Sequence, residues 1–112
     1  MRGCKNNKDF TIISKLEKLE NLDVSNTNIS DISFLEKNKI IKELYLYDCK
    51  NIKDFTIISK LEKLENLDIS YTNISDISFL EQNKNIKELH LLSCKNINKN
   101  GNIFNRKDIF IF

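Results

Sequence analysis

The chain contains no alanine, proline or tryptophan, and arginine occurs only at positions 2 and 106. Lysine used in place of arginine, with neither alanine nor proline, is the usage of an A+T-rich genome. Asn, Lys and Ile contribute 16, 16 and 17 of the 112 residues. Such a composition would suit a large DNA virus, a low-G+C microbe or a protist. Long apolar runs are missing as well: nothing approaches the roughly 20 residues that span a bilayer. Met1 to Lys5 opens without a hydrophobic signal segment. A protein with no membrane partner, working in the cytoplasm (the host's, if viral), is therefore expected. Nor do the charges cluster. The 18 basic and 16 acidic residues are interspersed for a net charge of +2, without the basic stripe that marks a nucleic-acid footprint.

What the chain does have is a repeat. The 45 residues from Cys4 to Asp48 recur from Cys49 to Ser93, identical at 37 of 45 positions without a gap. Each block divides again. Leu19, Leu22, Val24, Thr27 and Ile29 define a pattern that returns as Ile41, Leu44, Leu46, Cys49 and Ile52. It returns once more as Leu64, Leu67, Ile69, Thr72 and Ile74, and finally as Ile86, Leu89, Leu91, Cys94 and Ile97. A period of 22–23 residues implies a solenoid, in which each unit buries its apolar edge only against its neighbours. One domain over 1–112 is expected, with repeats at about 19–40, 41–63, 64–85 and 86–108 and partial capping segments at the ends.

Within a unit, Leu22/Val24, Leu44/Leu46, Leu67/Ile69 and Leu89/Leu91 alternate with polar or aromatic residues, which predicts a short strand. A turn follows, with Thr27, Cys49, Thr72 or Cys94 pointing inward, where a Thr hydroxyl can satisfy loop backbone groups. Two kinds of return segment alternate. In one, Ser30 or Ser75 precedes Asp-Ile-Ser-Phe-Leu and is expected to N-cap a single tight helical turn. In the other, Phe55, Ile58 and Leu61 fall at helical spacing, as do Phe10, Ile13 and Leu16 in the first copy. Cys4, Cys49 and Cys94 share one structural position. Two strand steps separate successive members by about 9–10 Å, beyond the reach of a disulfide, so they read as small buried thiols.

Leu64-Glu-Asn-Leu67 followed by Asp68-Ile-Ser-Tyr-Thr-Asn-Ile74 resembles the repeat of leucine-rich repeat proteins. The unit length, with Ile74, Ile77 and Leu80, is most similar to the short internalin-like or phosphatase-regulator-like subtype. Thr or Cys stands where that family usually has Asn. The resemblance covers residues 10 to about 97. It implies an α/β right-handed solenoid with a parallel β-sheet on the concave face and short helical or 3-10 turns on the convex one. It also implies recognition of a protein partner, without naming it.

By that family's geometry the residues between the ladder leucines line the concave face. Asp23, Tyr45, Asp68 and His90 would form one row; Ser25, Tyr47, Ser70 and Leu92 the next; Asn26, Asp48, Tyr71 and Ser93 an outer one, with Glu43 and Glu88 flanking. Eight positions differ between the blocks: Asn7/Ile52, Val24/Ile69, Asn26/Tyr71, Lys37/Gln82, Ile40/Asn85, Tyr45/His90, Tyr47/Leu92 and Asp48/Ser93. Four of these lie among the eight concave positions per block and four among the other 37. Selection for an asymmetric partner and tolerance on an unconstrained surface both account for this; the exposed yet hardly altered convex loops favour selection. Asp23, Glu43, Tyr45, Tyr47, Asp68, Tyr71, Glu88, His90 and Leu92 are thus the expected protein-binding residues, since buried aromatic anchors dominate interface energy.

No catalytic, metal or cofactor site is expected. His90, Asp68 and Ser70 suggest a triad on paper, but an open sheet face offers no oxyanion hole or activated nucleophile. Asp68, His90 and Asp23 make no plausible metal-ligand set. The sequons at Asn28 and Asn73 read as accidents of an Asn-rich chain. Asn7, where the second copy has Ile52, suits a water-facing end. Towards the other end Asn100, Asn102 and Arg106 replace Phe55, Ile57 and Leu61, which predicts a weakening ladder. Ile109, Phe110, Ile111 and Phe112 then stand where a fifth strand should start. A partial cap is expected there, and a homodimer or stacked array through this segment is the alternative function.

Overall fold

The computed structural model describes residues 18–97 and 102–112. Five short strands, β1 (Asn21–Asp23), β2 (Glu43–Tyr45), β3 (Asn66–Asp68), β4 (Glu88–His90) and β5 (Phe110–Ile111), make one parallel sheet in sequence order. The chain returns between them through 3-10 turns at Ser33–Lys37, Thr56–Lys60, Ser78–Gln82 and Asn102–Asn105. This is the expected α/β leucine-rich repeat solenoid. Leu22, Leu44, Leu67, Leu89 and Ile111 are consecutive neighbours across the sheet.

An Asx turn closes β1 and β3. The Asp23 Oδ1 accepts a hydrogen bond from the Ser25 N–H, and the Asp68 Oδ1 accepts one from Ser70 (both 2.9 Å). These Asx turns bend the chain towards Asn26 and Tyr71, whose φ of 60° and 58° leaves the β region, as does that of Asp48 and Ser93. The same chemistry starts the convex turns. The Asp31, Asp54 and Asp76 carboxylates accept from the N–H of Ser33, Thr56 and Ser78 at 2.8–2.9 Å. This corrects the expected cap: the acceptor is the aspartate, because it stands two residues before the donor, and not Ser30 or Ser75. These bonds hold the exposed Asp31 and Asp76 carboxyls below the usual aspartate range, and at Asp54 the Thr56 hydroxyl, donating at 2.6 Å, does so ahead of the backbone N–H.

Between sheet and turns runs a continuous core. Leu44, Leu46, Ile58, Leu61, Leu64, Leu67, Ile69, Leu80 and Leu89 have no exposed surface. The inward Thr and Cys residues join the units in pairs. The Thr27 hydroxyl donates to the Val24 carbonyl at 2.7 Å, and the Cys49 thiol of the next unit donates to that same carbonyl at 3.2 Å. Thr72 and Cys94 repeat this on the Ile69 carbonyl at 2.7 and 3.0 Å. Both cysteines are free and buried, as expected, and burial pushes the Cys49 thiol pKa up. Cys4, Asn7, Phe10, Ile13, Leu16 and Asn100 lie outside the described residues.

A second set of links runs behind the turns. Buried Asn83 donates through Nδ2 to the Ile58 and Leu61 carbonyls (2.9 and 3.1 Å), tying its unit to the preceding one. Arg106, expected to mark a weakening ladder, does comparable work: its guanidinium donates to the Asn83 carbonyl at 3.1 Å and to the Lys84 carbonyl at 3.4 Å. Its Nη2 also pairs with Asp108 at 2.9 Å and keeps that carboxyl low. Beyond it the chain adds β5, where Ile109 is buried and Ile111 packs on the core.

Candidate protein-binding face

The register puts Asp23, Tyr45, Asp68 and His90 side by side, so the first predicted row is real. It extends further than predicted. Phe112 follows Ile111, and its ring stacks on His90 with centroids 4.6 Å apart and planes 13° from parallel. The flanking row runs Asn21, Glu43, Asn66, Glu88 and then Phe110. Phe110 and Phe112 were expected to cap or to self-associate, and sequence reading missed their place on this face. A 22-residue step from Glu88 and His90 was the signal that could have found it.

The second predicted row needs correction. Ser25 and Ser70 are buried, and their hydroxyls accept the Tyr47 and Leu92 N–H at 3.1 and 3.0 Å. Bent inward by the Asx turns, they serve as backbone-like acceptors and leave the face. Tyr47 and Leu92 remain on it, and the ring of Tyr47 meets Tyr71 at a centroid distance of 5.1 Å and an angle of 54°. Tyr71 itself holds a left-handed backbone where the first copy has Asn26, a conformation that suits Asn far better than a bulky ring. Tyr71, Leu92, Phe110 and Phe112 are all exposed, at 40, 53, 72 and 52%. They form an apolar band along the part of the face nearest β5.

Lys50 and Lys95 line a shallow cavity with Tyr71 and Ser93, while acidic side chains flank Tyr45 and His90. Glu43 Oε1 accepts from the Tyr45 hydroxyl at 2.7 Å and from Asn66 Nδ2 at 3.2 Å. Burial first, then that bond and the nearby carboxylates, push the Tyr45 phenol up to about 12. His90 Nε2 lies 3.8 Å from Glu88 Oε1. The imagined triad therefore dissolves: Ser70 accepts from Leu92, Asp68 holds the Ser70 N–H, and His90 leans on Glu88 and Phe112. Among the described residues no group of three His, Cys, Asp or Glu could hold a metal ion, and no helix is long and apolar enough to cross a membrane.

A parallel sheet of two- and three-residue strands that start 22–23 residues apart, backed by 3-10 turns, defines a leucine-rich repeat module. The sequence profile of the Zer-1-like leucine-rich repeats matches residues 10–99, and the chain belongs to that family. Among solved structures it is similar to an internalin (inlF) from Listeria monocytogenes, with 28% identity and a TM-score of 0.77 over 88% of this chain and 29% of that one. It is likewise similar to internalin C2 from the same bacterium, with 25% identity and a TM-score of 0.72 over 89% of this chain and 44% of that one. The chain thus spans less than half the length of either internalin. No curated protein sequence matches it.

Proposed function

We propose that the chain binds a protein partner through the concave sheet face, with Tyr45, Tyr47, Tyr71, His90 and Leu92 as contacts and Asp23, Glu43, Asp68 and Glu88 supplying polarity. One observation carries this reading: Tyr71 and Leu92, two of the four exposed residues of the band, stand at positions where the two otherwise near-identical blocks differ. Tyr71 adds weight, because a bulky residue kept in a left-handed conformation costs stability without serving the fold. The function is recognition rather than catalysis. Two free, buried thiols suit a reducing compartment, so the cytoplasm is its proposed place of work.

The test is an affinity capture comparing the wild type with Tyr45, Tyr47, His90 and Leu92 all changed to Ala. A partner held by the wild type and lost by the still-folded variant supports the reading, whereas capture by both refutes it. A second reading has its own observation. Phe110 and Phe112 remain exposed on β5, although Ile109 and Ile111 are committed to the molecule's own core. Self-association through these two rings would give a mass above 13.2 kDa by light scattering. That mass would fall to the monomer value when both become Ser.

A further inference from the structure

The loops that leave β2, β3 and β4 enclose a shallow cavity of about 440 Å³, lined by Lys50, Tyr71, Asn73, Ser93, Lys95 and Asn96. Asn73 ties two of these loops together, its Nδ2 donating to the Lys50 carbonyl at 2.9 Å. The duplication shows what is special here. Lys50, Asn73, Lys95 and Asn96 repeat Lys5, Asn28, Lys50 and Asn51 of the first block, whereas Tyr71 and Ser93 replace Asn26 and Asp48. One replacement adds a ring and the other removes an acid. The lost acid matters to its neighbour. Asp48 pairs with Lys50 at 3.5 Å, but Lys95 has Ser93 in that place and no acid partner among the described residues. Tyr71 joins the cavity to the face: its N–H donates to the Leu92 carbonyl at 2.8 Å, and its ring lies 5.1 Å from that of Tyr47.

We propose that this cavity takes an Asp or Glu carboxylate of the protein partner, beside an apolar residue seated on Tyr47, Tyr71 and Leu92. This rests on the concave reading above and deepens it by naming the partner's chemistry. Lys95 offers an ammonium, Ser93 a hydroxyl and Asn96 an amide, all exposed and all able to donate to an anion. Lys50 contributes less, because Asp48 already holds it. One cation to spare matches a single negative charge. A phosphate dianion is matched by clustered arginines, and none lines the cavity. The face's own acids do not fill the site. Asp68 accepts the Ser70 N–H at 2.9 Å, and Glu43 and Glu88 open their strands five residues before Asp48 and Ser93. The partner's acid therefore enters from the loop side and its chain runs on over the rings. An extended segment rises about 3.3 Å per residue, which places the apolar side chain one or two residues from the acid.

The experiment is a selection of random phage-displayed peptides on the full chain, followed by affinity measurement with the enriched peptides made synthetically. Two variants exchange the residue that distinguishes the blocks, Ser93→Asp and Asp48→Ser. Each installs what the other block already carries at a left-handed position, φ being 56° at Ser93 and 60° at Asp48, so both are expected to fold. The expected peptides carry Asp or Glu one or two residues from an apolar side chain. Their affinity falls about fivefold or more in Ser93→Asp and in Lys95→Gln, and rises in Asp48→Ser, which releases Lys50. Lys60→Gln with Lys63→Gln, which removes two charges from a different cavity, is expected to change nothing. If the enriched peptides lack an acid, or if none tells the wild type from Ser93→Asp, the carboxylate site is overturned. Phosphoserine in place of the acid, binding more than about tenfold tighter, overturns it in favour of a phosphate. A further variant, Tyr47→Ser with Leu92→Ser, separates the two readings. Peptides that ignore Ser93→Asp but lose affinity there overturn the carboxylate site alone, and peptides that bind both like wild type overturn the concave reading itself.

Discussion

Tyr71 shows in one residue how the fold and the proposed function pull apart. Its left-handed backbone costs on the order of 1 kcal/mol for a side chain with a bulky Cβ substituent, and Asn26 fills the equivalent place in the first block. Tyr71→Asn is therefore expected to raise stability by about 0.5–1 kcal/mol in denaturant melts while weakening partner binding. A mutant that is both less stable and fully active would contradict both halves of the argument. Tyr45 offers a second test. Its folded pKa is raised to about 12, so the protonated phenol is the form the fold favours. Its contribution is complete below the ordinary value of 10.0 and is lost as the pH climbs from there towards 12. In an alkaline absorbance titration, Tyr45→Phe should remove the last phenolate step, and Glu43→Gln should move that step to lower pH.

At the scale of the element, the turns are built from side chains that stand in for backbone. Thr27 both donates to the Val24 carbonyl and receives the Ile29 N–H at 3.4 Å, whereas the Cys49 thiol adds a second donor to the same carbonyl and meets the Thr27 hydroxyl and Tyr47 carbonyl at 3.8 and 3.9 Å. Thr27→Val should therefore cost about 1–3 kcal/mol, because it strands a buried N–H. Cys49→Thr, which keeps a donor in place, should cost about 1 kcal/mol or less; thermal melts of the two would rank them. These elements also show how far the sequence could be read. The leucine ladder, the strand positions and the inward Thr/Cys sites were legible because burial writes itself as period. The Asx turns were not, although Asp stands two residues before Ser or Thr at 23, 31, 54, 68 and 76. A polar side chain bonded to a backbone N–H two residues on leaves no hydrophobic pattern to read, and the same short-range bond turned Ser25 and Ser70 away from the face. Arg106 escaped for another reason: its role is set by carbonyls of the preceding unit, and nothing in its own stretch announces them.

For the whole molecule, stability is a sum of neighbouring contacts with no single centre. Leu67 has a strand on each side and no exposed surface, so Leu67→Ala should cost about 2–5 kcal/mol and loosen the units on both sides. Ile111→Ala should instead fray β5 alone. Amide hydrogen exchange would show this as lost protection at Phe110 and Phe112, with β2 and β3 unchanged. Equal loss across the sheet from either change would refute the additive picture. The pairing of Thr27 with Cys49 on one carbonyl, and of Thr72 with Cys94 on another, has a longer reach. It makes the natural quantum of this architecture two units rather than one. A further 45-residue copy inserted between the existing blocks would meet, at both of its seams, the same side chains that now meet there. Growth by whole blocks would leave the buried chemistry intact, whereas gain or loss of a single unit would set Thr beside Thr or Cys beside Cys. The lineage that carries this scaffold can lengthen its sheet by copying, and revise the exposed face afterwards.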